Sequence, residues 1–252
     1  YSSACSDSSI ATENTCGSCS DTDLATSTAC QSYCRANVPT HTAPSSDGLD
    51  EWTCSSPETS GIFKISSDCQ LTSEVILNGE LTLIGQGQTM NTLKTITAAT
   101  SGKRHFTING ATHKLNLWHL KLTGGIASTK GGSILINTNG GELNLYYSEV
   151  SGNAAGTIGG GIYAKGTDKT DDDVKINIYN SVIKDNEATC QYGECGGGIY
   201  MYGTIGNIVD TTIENNEAAD STSSTRGGGI YVRESQSLTI TNTIIKSNGN
   251  VR

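Results

Sequence analysis

A five-residue segment, Gly-Gly-Gly-Ile-Tyr, occurs three times in the 252-residue chain, at 159–163, 196–200 and 227–231. A weaker form, Gly-Gly-Ser-Ile, occupies 131–134. Self-similarity with a period of about 20–50 residues is typical of solenoids, in which no single repeat buries a core alone. The repeated segment therefore predicts a stack of similar units rather than an ordinary globular domain.

A second segment accompanies the glycine-rich one, and its copies superpose without gaps. The copies are LNLYYSEVSGN to Asn153, INIYNSVIKDN to Asn186, GNIVDTTIENN to Asn216 and LTITNTIIKSN to Asn248. An earlier relative, LNLWHLKLTGG, ends at Gly125, where glycine replaces the asparagine. The steps between these end positions are 28, 33, 30 and 32 residues, which indicates one solenoid coil per copy.

Each unit contains three short stretches with strand character. Alternating apolar residues such as Leu143 and Leu145 mark the first, Val150 and its counterparts mark the second, and Gly-Ile-Tyr marks the third. Three short strands separated by turns predict one coil of a parallel β-helix, an all-β fold in which each strand pairs with its counterpart one coil away.

Equivalent residues of successive coils are expected to stack. The inward aliphatic column would contain Ile162, Ile199 and Ile230, with the tyrosine after each facing outward. An asparagine at a turn can bond to the next coil and tolerates the left-handed conformation, which predicts a ladder. The ladder residues would be Asn153, Asn186, Asn216 and Asn248. The glycine triplets would let the chain turn with positive φ and approach the neighbouring coil.

Composition and charge exclude several classes of protein. Only 16% of the residues are charged, no apolar run approaches the roughly 20 residues that span a membrane, and the 30 glycines follow no three-residue period. The formal net charge of −9 opposes nonspecific attraction to nucleic acids and anionic membranes. We expect other protein chains or matrix glycans as partners, with no nucleic acid, no membrane insertion and no cofactor.

Nine cysteines form a dense N-terminal group and one close pair. The group contains Cys5, Cys16, Cys19, Cys30, Cys34, Cys54 and Cys69, and the pair is Cys190 and Cys195. This density, in a chain with 29 Ser and 33 Thr, favours disulfides of a secreted protein over a zinc site built on the CxxC spacing. If the close pair is bonded, an odd seven remain, which implies an intermolecular bridge, a free thiol or a missing partner segment.

The domain organisation follows from the cysteines and the repeats. We expect a cysteine-rich, disulfide-rich segment over 1–70 and β-helix repeats over 71–252. The chain begins at Tyr1 without a leader, which indicates a processed secreted protein or a fragment. The last repeat has no closing helix or polar coil, so we expect that end to be continued by more of the same protein or by a neighbouring subunit.

The pairing of GGGI with a downstream IxxN or VxxN resembles the GGxI/FxxN repeat of the chlamydial polymorphic outer membrane proteins, also found in surface proteins of algae and other protists. The resemblance covers about residues 105–250. The Phe position is Val150, Ile183, Ile213 or Ile245 here, which keeps its apolar role. The resemblance implies a right-handed parallel β-helix on an extracellular protein, often an adhesin or stalk, and we expect a eukaryotic relative of this repeat type.

Parallel β-helices also include polysaccharide lyases and hydrolases, which are the enzymatic alternative. The sequence lacks the combined NTD, DD, GHG and RIK motifs of the polygalacturonases. The only dense carboxylate run, Asp171–Asp173, is interpreted as a solvated turn rather than a calcium site. His105, His113 and His119 have no Asp or Glu among them to orient a metal site, and each is expected at the surface.

Ice binding is a second alternative, because flat Thr-rich solenoids can order water. The superposition aligns Thr241 with Val209, Tyr179 and Tyr146, and Thr243 with Thr211, Ser181 and Ser148. These threonine ranks are incomplete. We therefore expect a non-enzymatic extracellular structural or adhesive protein, a building block of a cell-surface appendage, filament or wall through lateral, end-to-end or disulfide contacts.

Overall fold

The computed structural model describes residues 41–87, 89–100, 102–137, 140–167, 174–190, 195–220 and 227–251. No helix capable of crossing a membrane occurs in these ranges. The strands are β1 (Gly61–Ile65), β2 (Cys69–Gln70), β3 (Val75–Ile76), β4 (Glu80–Gly85), β5 (Lys94–Thr97), β6 (Phe106–Ile108), β7 (Lys114–Trp118), β8 (Leu120–Thr123), β9 (Ile126–Ala127), β10 (Ile134–Ile136), β11 (Gly141–Tyr146), β12 (Glu149–Ser151), β13 (Ala154–Ala155), β14 (Ile162–Lys165), β15 (Val174–Tyr179), β16 (Val182–Lys184), β17 (Glu187–Cys190), β18 (Ile199–Tyr202), β19 (Thr204–Val209), β20 (Thr212–Glu214), β21 (Glu217–Asp220), β22 (Ile230–Arg233), β23 (Ser237–Thr241), β24 (Ile244–Lys246) and β25 (Gly249–Val251).

The strands form four parallel sheets, which are the four faces of a solenoid. The first face contains β1, β4, β7, β11, β15, β19 and β23; the second contains β2, β5, β8, β12, β16, β20 and β24; the third contains β9, β13, β17, β21 and β25; and the fourth contains β3, β6, β10, β14, β18 and β22. Each strand pairs in parallel with its counterpart one coil away. This arrangement confirms the all-β parallel β-helix predicted from the repeat.

A full coil has four strands, whereas three were predicted. The additional strand lies on the third face and follows the ladder asparagine, as β13 follows Asn153 and β17 follows Asn186. Its inward residues are small, for example Ala155 and Ala188, which are buried. Alanine is depleted in strands and gives no apolar alternation, so the pattern contained no signal for this face.

Equivalent residues pair across coils in the register that the gapless superposition predicted. Ile162 pairs with Ile199, and Ile199 pairs with Ile230. Ile162 and Ile199 are fully buried, and Ile230 is partly buried against the same core. Behind these isoleucines, on the outer side of the sheet, the rings of Tyr163, Tyr200 and Tyr231 stack with centroids 5.2 Å apart. The aliphatic columns join the described coils into one continuous core.

Two corners of the coil share one construction, in which a left-handed residue precedes an inward polar residue. Between the first and second faces, the left-handed residues are Tyr147, Asn180, Asp210 and Asn242, with φ of 49° or 50°. His119 takes the same conformation in an earlier coil, but it precedes the apolar Leu120. Between the second and third faces they are Gly152, Asp185, Asn215 and Ser247. The ladder asparagines, which can tolerate this conformation, do not take it themselves. The residue before each one takes it, and this turns the asparagine side chain into the interior.

We predicted that the solenoid starts at residue 71, but its first strands lie earlier in the chain. Strands β1 and β2 already belong to the first and second faces, and the compact unit that contains the solenoid is Ala43–Arg252. Trp52 is buried at this start, and its ring centroid lies 6.3 Å from that of Phe106. The first coil is therefore covered by a large aromatic side chain from the segment that precedes it.

Two disulfides lie among the described residues. Cys54 and Cys69, separated by 15 residues, tie the segment around Trp52 to β2. The predicted pair of Cys190 and Cys195 is confirmed, with a separation of 5 residues between β17 and β18. These bonds indicate a non-reducing environment. The other cysteines of the predicted disulfide group, Cys5, Cys16, Cys19, Cys30 and Cys34, lie outside the described residues.

Candidate functional site

The predicted asparagine ladder is present and lies inside the solenoid. Asn153, Asn186 and Asn216 are at most 1% exposed, and Asn248 is partly buried. The backbone N–H of each of the first three donates to Oδ1 of the next asparagine, at 3.1, 3.1 and 3.0 Å. The Nδ2 group of each donates to the same oxygen at 2.9 Å. The ladder thus joins four coils through buried hydrogen bonds.

Each ladder amide also reaches back to the coil before it. Asn153 Nδ2 donates to the carbonyl oxygen of Leu122 at 3.2 Å and to that of Ser151 at 3.0 Å. Asn186 Nδ2 donates in the same way to Val150 O at 3.0 Å. An amide has two donor hydrogens and an oxygen with two lone pairs, so it can satisfy partners on both sides. This residue type therefore suits a buried corner between stacked coils.

A ladder of hydroxyl groups occupies the other corner and bears on the ice-binding alternative. Its members are Ser148, Ser181, Thr211 and Thr243, one of the two ranks considered for ice. Ser148, Ser181 and Thr211 are at most 2% exposed. Ser148 Oγ donates to Tyr146 O at 2.8 Å and accepts from the backbone N–H of Leu120 at 3.2 Å. These hydroxyls bond to the backbone inside the solenoid and do not form an outer surface.

The asparagine ladder stops at Gly125, and a histidine from the preceding coil takes its place. Gly125 N–H still donates to Asn153 Oδ1 at 2.9 Å, but glycine has no amide to reach backward. The carbonyls that such an amide would bond are those of Ile96 and Thr123, the register partners of Leu122 and Ser151. His105 Nε2 lies 3.1 Å from both of these oxygens. The imidazole therefore replaces the missing amide.

His105 is fully buried, so the prediction of a surface histidine is wrong. Because Nε2 faces two carbonyl oxygens, it carries the proton, and Nδ1 accepts from the Ser133 hydroxyl at 3.0 Å. Burial lowers the pKa of His105 from 6.5 to about 4, although its bonds to the Ile96 and Thr123 carbonyls oppose that shift. The ring is therefore a neutral structural group and not a surface ligand.

The glycine triplets explain why histidine fits in only one coil. His105 stacks in register with Ser133 and then with the third glycine of each triplet, Gly161, Gly198 and Gly229. A Cβ added at Gly161 would lie 3.1 Å from Asn186 Cγ, and one at Gly198 would lie 2.9 Å from Asn216 Cγ. The ladder asparagine of one coil thus leaves little space at this position in the coil before it, where the residues are Gly161, Gly198, Gly229 and, before Asn153, the small Ser133. Where the asparagine is Gly125, the space admits a ring.

The other candidate ligands do not come together with His105. His113 and His119 are partly buried, and each has a buried Nδ1 with no hydrogen-bond partner among the described residues. Within the described ranges, no group of three His, Cys, Asp or Glu side chains is arranged to hold a metal ion. Asp171–Asp173 lies outside those ranges, so its interpretation as a solvated turn stays a prediction.

The first face carries two outer rows that were not predicted, although the superposition already aligned their members. One is an amide row, Asn116, Asn144, Asn177 and Asn207, with Nδ2 to Oδ1 distances of 2.8, 2.8 and 2.9 Å. The other is an aromatic row, Trp118, Tyr146 and Tyr179, with centroid distances of 3.9 and 5.5 Å. Burial, with the nearby Tyr179 and Glu142, raises the pKa of Tyr146. Because the rings stack on one another, they offer edges rather than flat faces to a ligand.

The second face carries ion pairs between neighbouring coils. Glu149 lies between Lys121, at 3.0 Å, and Lys184, at 3.3 Å. Burial opposes ionisation of Glu149, but hydrogen bonds from Ser151 and Lys121 and the two lysine charges hold its pKa below the usual value. Lys246 pairs with Glu214, its register partner one coil earlier, at 3.1 Å. These pairs link neighbouring coils across the second face.

The last coil, β22 to β25, exposes inward-facing apolar side chains whose register partners one coil earlier are buried. Ile240 is 42% exposed and Ile245 is 49% exposed. Their register partners one coil earlier, Ile208 and Ile213, are fully buried. The inward-facing side chains of the last coil, some exposed and some partly buried, therefore form an apolar surface at this end of the described stack. We call this the terminal coil surface; it comprises Ile230, Val232, Leu238, Ile240 and Ile245.

Comparison of the sequence with protein-family models gave no match, and comparisons with curated proteins and with solved structures gave none either. The fold and the buried ladders together define the class of protein. The chain is a disulfide-bonded parallel β-solenoid whose corners are joined by buried polar ladders.

Proposed function

We propose that this chain is a non-enzymatic extracellular structural or adhesive protein, a building block of a cell-surface appendage, filament or wall. The terminal coil surface carries the proposal, because Ile240 and Ile245 present a core pattern that another coil of the same repeat type would cover. Covering exposed apolar area contributes roughly 25 cal/mol per Å². Edge strands with free N–H and C=O groups add backbone hydrogen bonds to such a contact.

Three further observations support a mechanical role outside the cell. The buried ladders and the aliphatic columns link neighbouring coils, which stiffens a solenoid along its axis. The disulfides are suited to an oxidising compartment. The resemblance of the repeat to that of surface β-helix proteins agrees with both. Lateral contacts with other chains or matrix glycans would use the faces of the solenoid.

Light scattering of the intact chain tests the assembly. We expect oligomers that dissociate when Ile240 or Ile245 is replaced by lysine, because a charge on the terminal coil surface prevents apolar contact. Ile126→Lys is the matched control, since Ile126 is also 49% exposed but lies on β9, away from the last coil. A folded monomer with and without reductant would contradict the proposal.

A polysaccharide-cleavage screen tests the enzymatic alternative. Purified chain would be incubated with neutral and acidic polysaccharides, with and without calcium, and new reducing ends or unsaturated products would be measured. We expect no turnover. Cleavage abolished by substitution of carboxylates in the chain would replace the structural function with a lyase or hydrolase.

A further inference from the structure

A cavity of about 630 Å³ lies beside the corner between the first and second faces. It is bounded by segment 43–47 on one side and by residues 84–86 and His119 on the other. The apolar part of its wall comes from Pro44 and Ile84. The polar part includes Asp47, Gln86 and His119. The cavity thus combines a carboxylate, an amide and an imidazole with an apolar strip.

The orientation of His119 determines which nitrogen can meet a ligand. His119 is a left-handed corner residue, and its ring stacks on Tyr147 with a centroid distance of 5.2 Å. Its Nδ1 is buried without a hydrogen-bond partner in the described part of the chain. An unpartnered buried N–H is costlier than an unpartnered lone pair, so the neutral ring keeps its proton on Nε2. The Nε2–H group is therefore the donor available at the cavity.

The charges of the lining restrict the class of ligand. Among the described residues, no Lys or Arg lines the cavity, and Asp47 would repel an anion. A single carboxylate is too few oxygens for a calcium ion, which takes about six to eight. Burial lowers the pKa of His119, which keeps the imidazole uncharged near neutral pH. The lining therefore suits a neutral ligand that both donates and accepts hydrogen bonds.

We propose that this cavity binds a neutral sugar residue of a matrix or host glycan. Each sugar hydroxyl can donate to the Asp47 carboxylate and accept from His119 Nε2–H or from the Gln86 amide. The C–H groups of the sugar contact Pro44 and Ile84. The inference rests on the adhesive side of the proposed function and names its partner. The stacked aromatic row of the first face does not line this cavity and is not part of the proposed sugar site.

Saturation-transfer NMR and calorimetry with defined oligosaccharides test the site. The probes are cellohexaose, xylohexaose, mannohexaose and chitohexaose, with hexagalacturonate as the acidic comparison. We expect at least one neutral probe to bind, with Asp47→Ala weakening it about tenfold or more and His119→Gly weakening it about threefold or more, since hydrogen bonds to charged groups are stronger than those to neutral groups. Glycine is chosen at His119 because it accepts the left-handed φ of 53°.

The controls match the two variants in residue type. Asp50→Ala removes a carboxylate close to Asp47 that does not line the cavity, and His113→Ala removes the other histidine with a buried unpartnered Nδ1. Both should bind like the unmodified chain. Equal binding by all four variants, binding of hexagalacturonate alone, or no binding of any neutral probe at millimolar concentration would each overturn the inference. Assembly is measured separately by light scattering, so its failure and this one are distinguishable.

Discussion

At the scale of single residues, the solenoid depends on polar groups that are buried but fully paired. A buried amide without partners would destabilise the fold by several kcal/mol. Asn186 avoids this because it accepts from Asn153 and donates to Asn216 and to the Val150 carbonyl. The stabilisation therefore depends on the neighbouring coils that supply the partners of each asparagine. Removing one member therefore leaves unpaired groups in two neighbouring coils.

Asn186→Ala is expected to lower the free energy of unfolding by about 2–3 kcal/mol, the range for unsatisfied buried polar groups. The matched control is Asn177→Ala, which removes an asparagine from the outer amide row, where water can replace it. The control should cost less than about 1 kcal/mol. Urea unfolding of both variants measures the difference. Equal losses would show that the inner ladder contributes no more than the outer one.

His105 makes stability depend on pH in one direction. Its pKa is about 4 in the folded chain and 6.5 in the unfolded chain, so the unfolded state binds the proton first as pH falls. The contribution of His105 to the free energy of unfolding is therefore complete well above pH 6.5. It is lost as the pH falls from 6.5 to about 4, by up to roughly 3 kcal/mol. His105→Gln keeps a donor but cannot titrate. Thermal melting across this range should show a shallower pH dependence for the variant, and parallel curves would contradict the assignment.

The position of His105 could not be derived from its local sequence. Its partners, Ile96 and Thr123, belong to other strands, and an isolated histidine is as compatible with a surface as with a core. The information lay in the comparison of equivalent positions between coils, not in the residues next to His105. Gly125 interrupts the asparagine series, and His105 stands where the next coil has Ser133 and later coils have glycine. Only the register of the stack shows that these two departures compensate for each other.

At the scale of elements, the strands are short, and the corners between them set the coil. Register and inward columns were predictable because the repeated segments superpose without gaps and place Ile162 over Ile199. The third face was not predictable, because β13 buries only Ala155 and β17 buries only Ala188 and the disulfide-bonded Cys190. The left-handed residue, which was not predicted, is the one before each ladder asparagine. Asparagine tolerates that conformation, but inside the solenoid its amide is needed for the ladder.

Gly161→Ala is expected to destabilise the chain by about 1–3 kcal/mol through overpacking. The added Cβ would lie 2.8 Å from the Gly198 carbonyl oxygen and 3.1 Å from Asn186 Cγ. Gly249→Ala is the control, because no atom lies within 4 Å of a Cβ there. The control should be neutral or slightly stabilising, since alanine reduces the freedom of the unfolded chain. Denaturant midpoints compare the two, and a tolerated Gly161→Ala would contradict the close approach.

The two disulfides should differ in their contribution to stability. In the chain-entropy description, a closed loop of 15 residues contributes about 3 kcal/mol and a shorter loop contributes less. Replacing Cys54 and Cys69 by alanine should therefore cost more than replacing Cys190 and Cys195, whose separation is 5 residues. Urea unfolding of the two double variants ranks them. The opposite order would show that local packing outweighs loop closure.

At the scale of the whole solenoid, the two ends of the described stack differ. Trp52 covers the first coil, whereas the terminal coil surface is open. In a repeat protein, stability is approximately a sum of coil and interface contributions, so a coil with one neighbour is the weakest. Amide hydrogen exchange should therefore be fastest in β23 to β25 and slowest in the middle strands β11 and β15. Uniform protection would mean that the stack opens only as one unit.

The buried ladder also has a direction. Every backbone N–H along it donates toward the later coil, from Gly125 to Asn153 and on to Asn248. Asn248 is the last ladder residue of the described stack, and its backbone N–H would in the same way donate to an asparagine oxygen of a coil stacked on this end. Two such ends brought face to face would set donor against donor, whereas a coil arriving in the same orientation would supply an asparagine oxygen. Any fibre that extends from this end should thus be vectorial, with a growing tip and a rear that are chemically distinct.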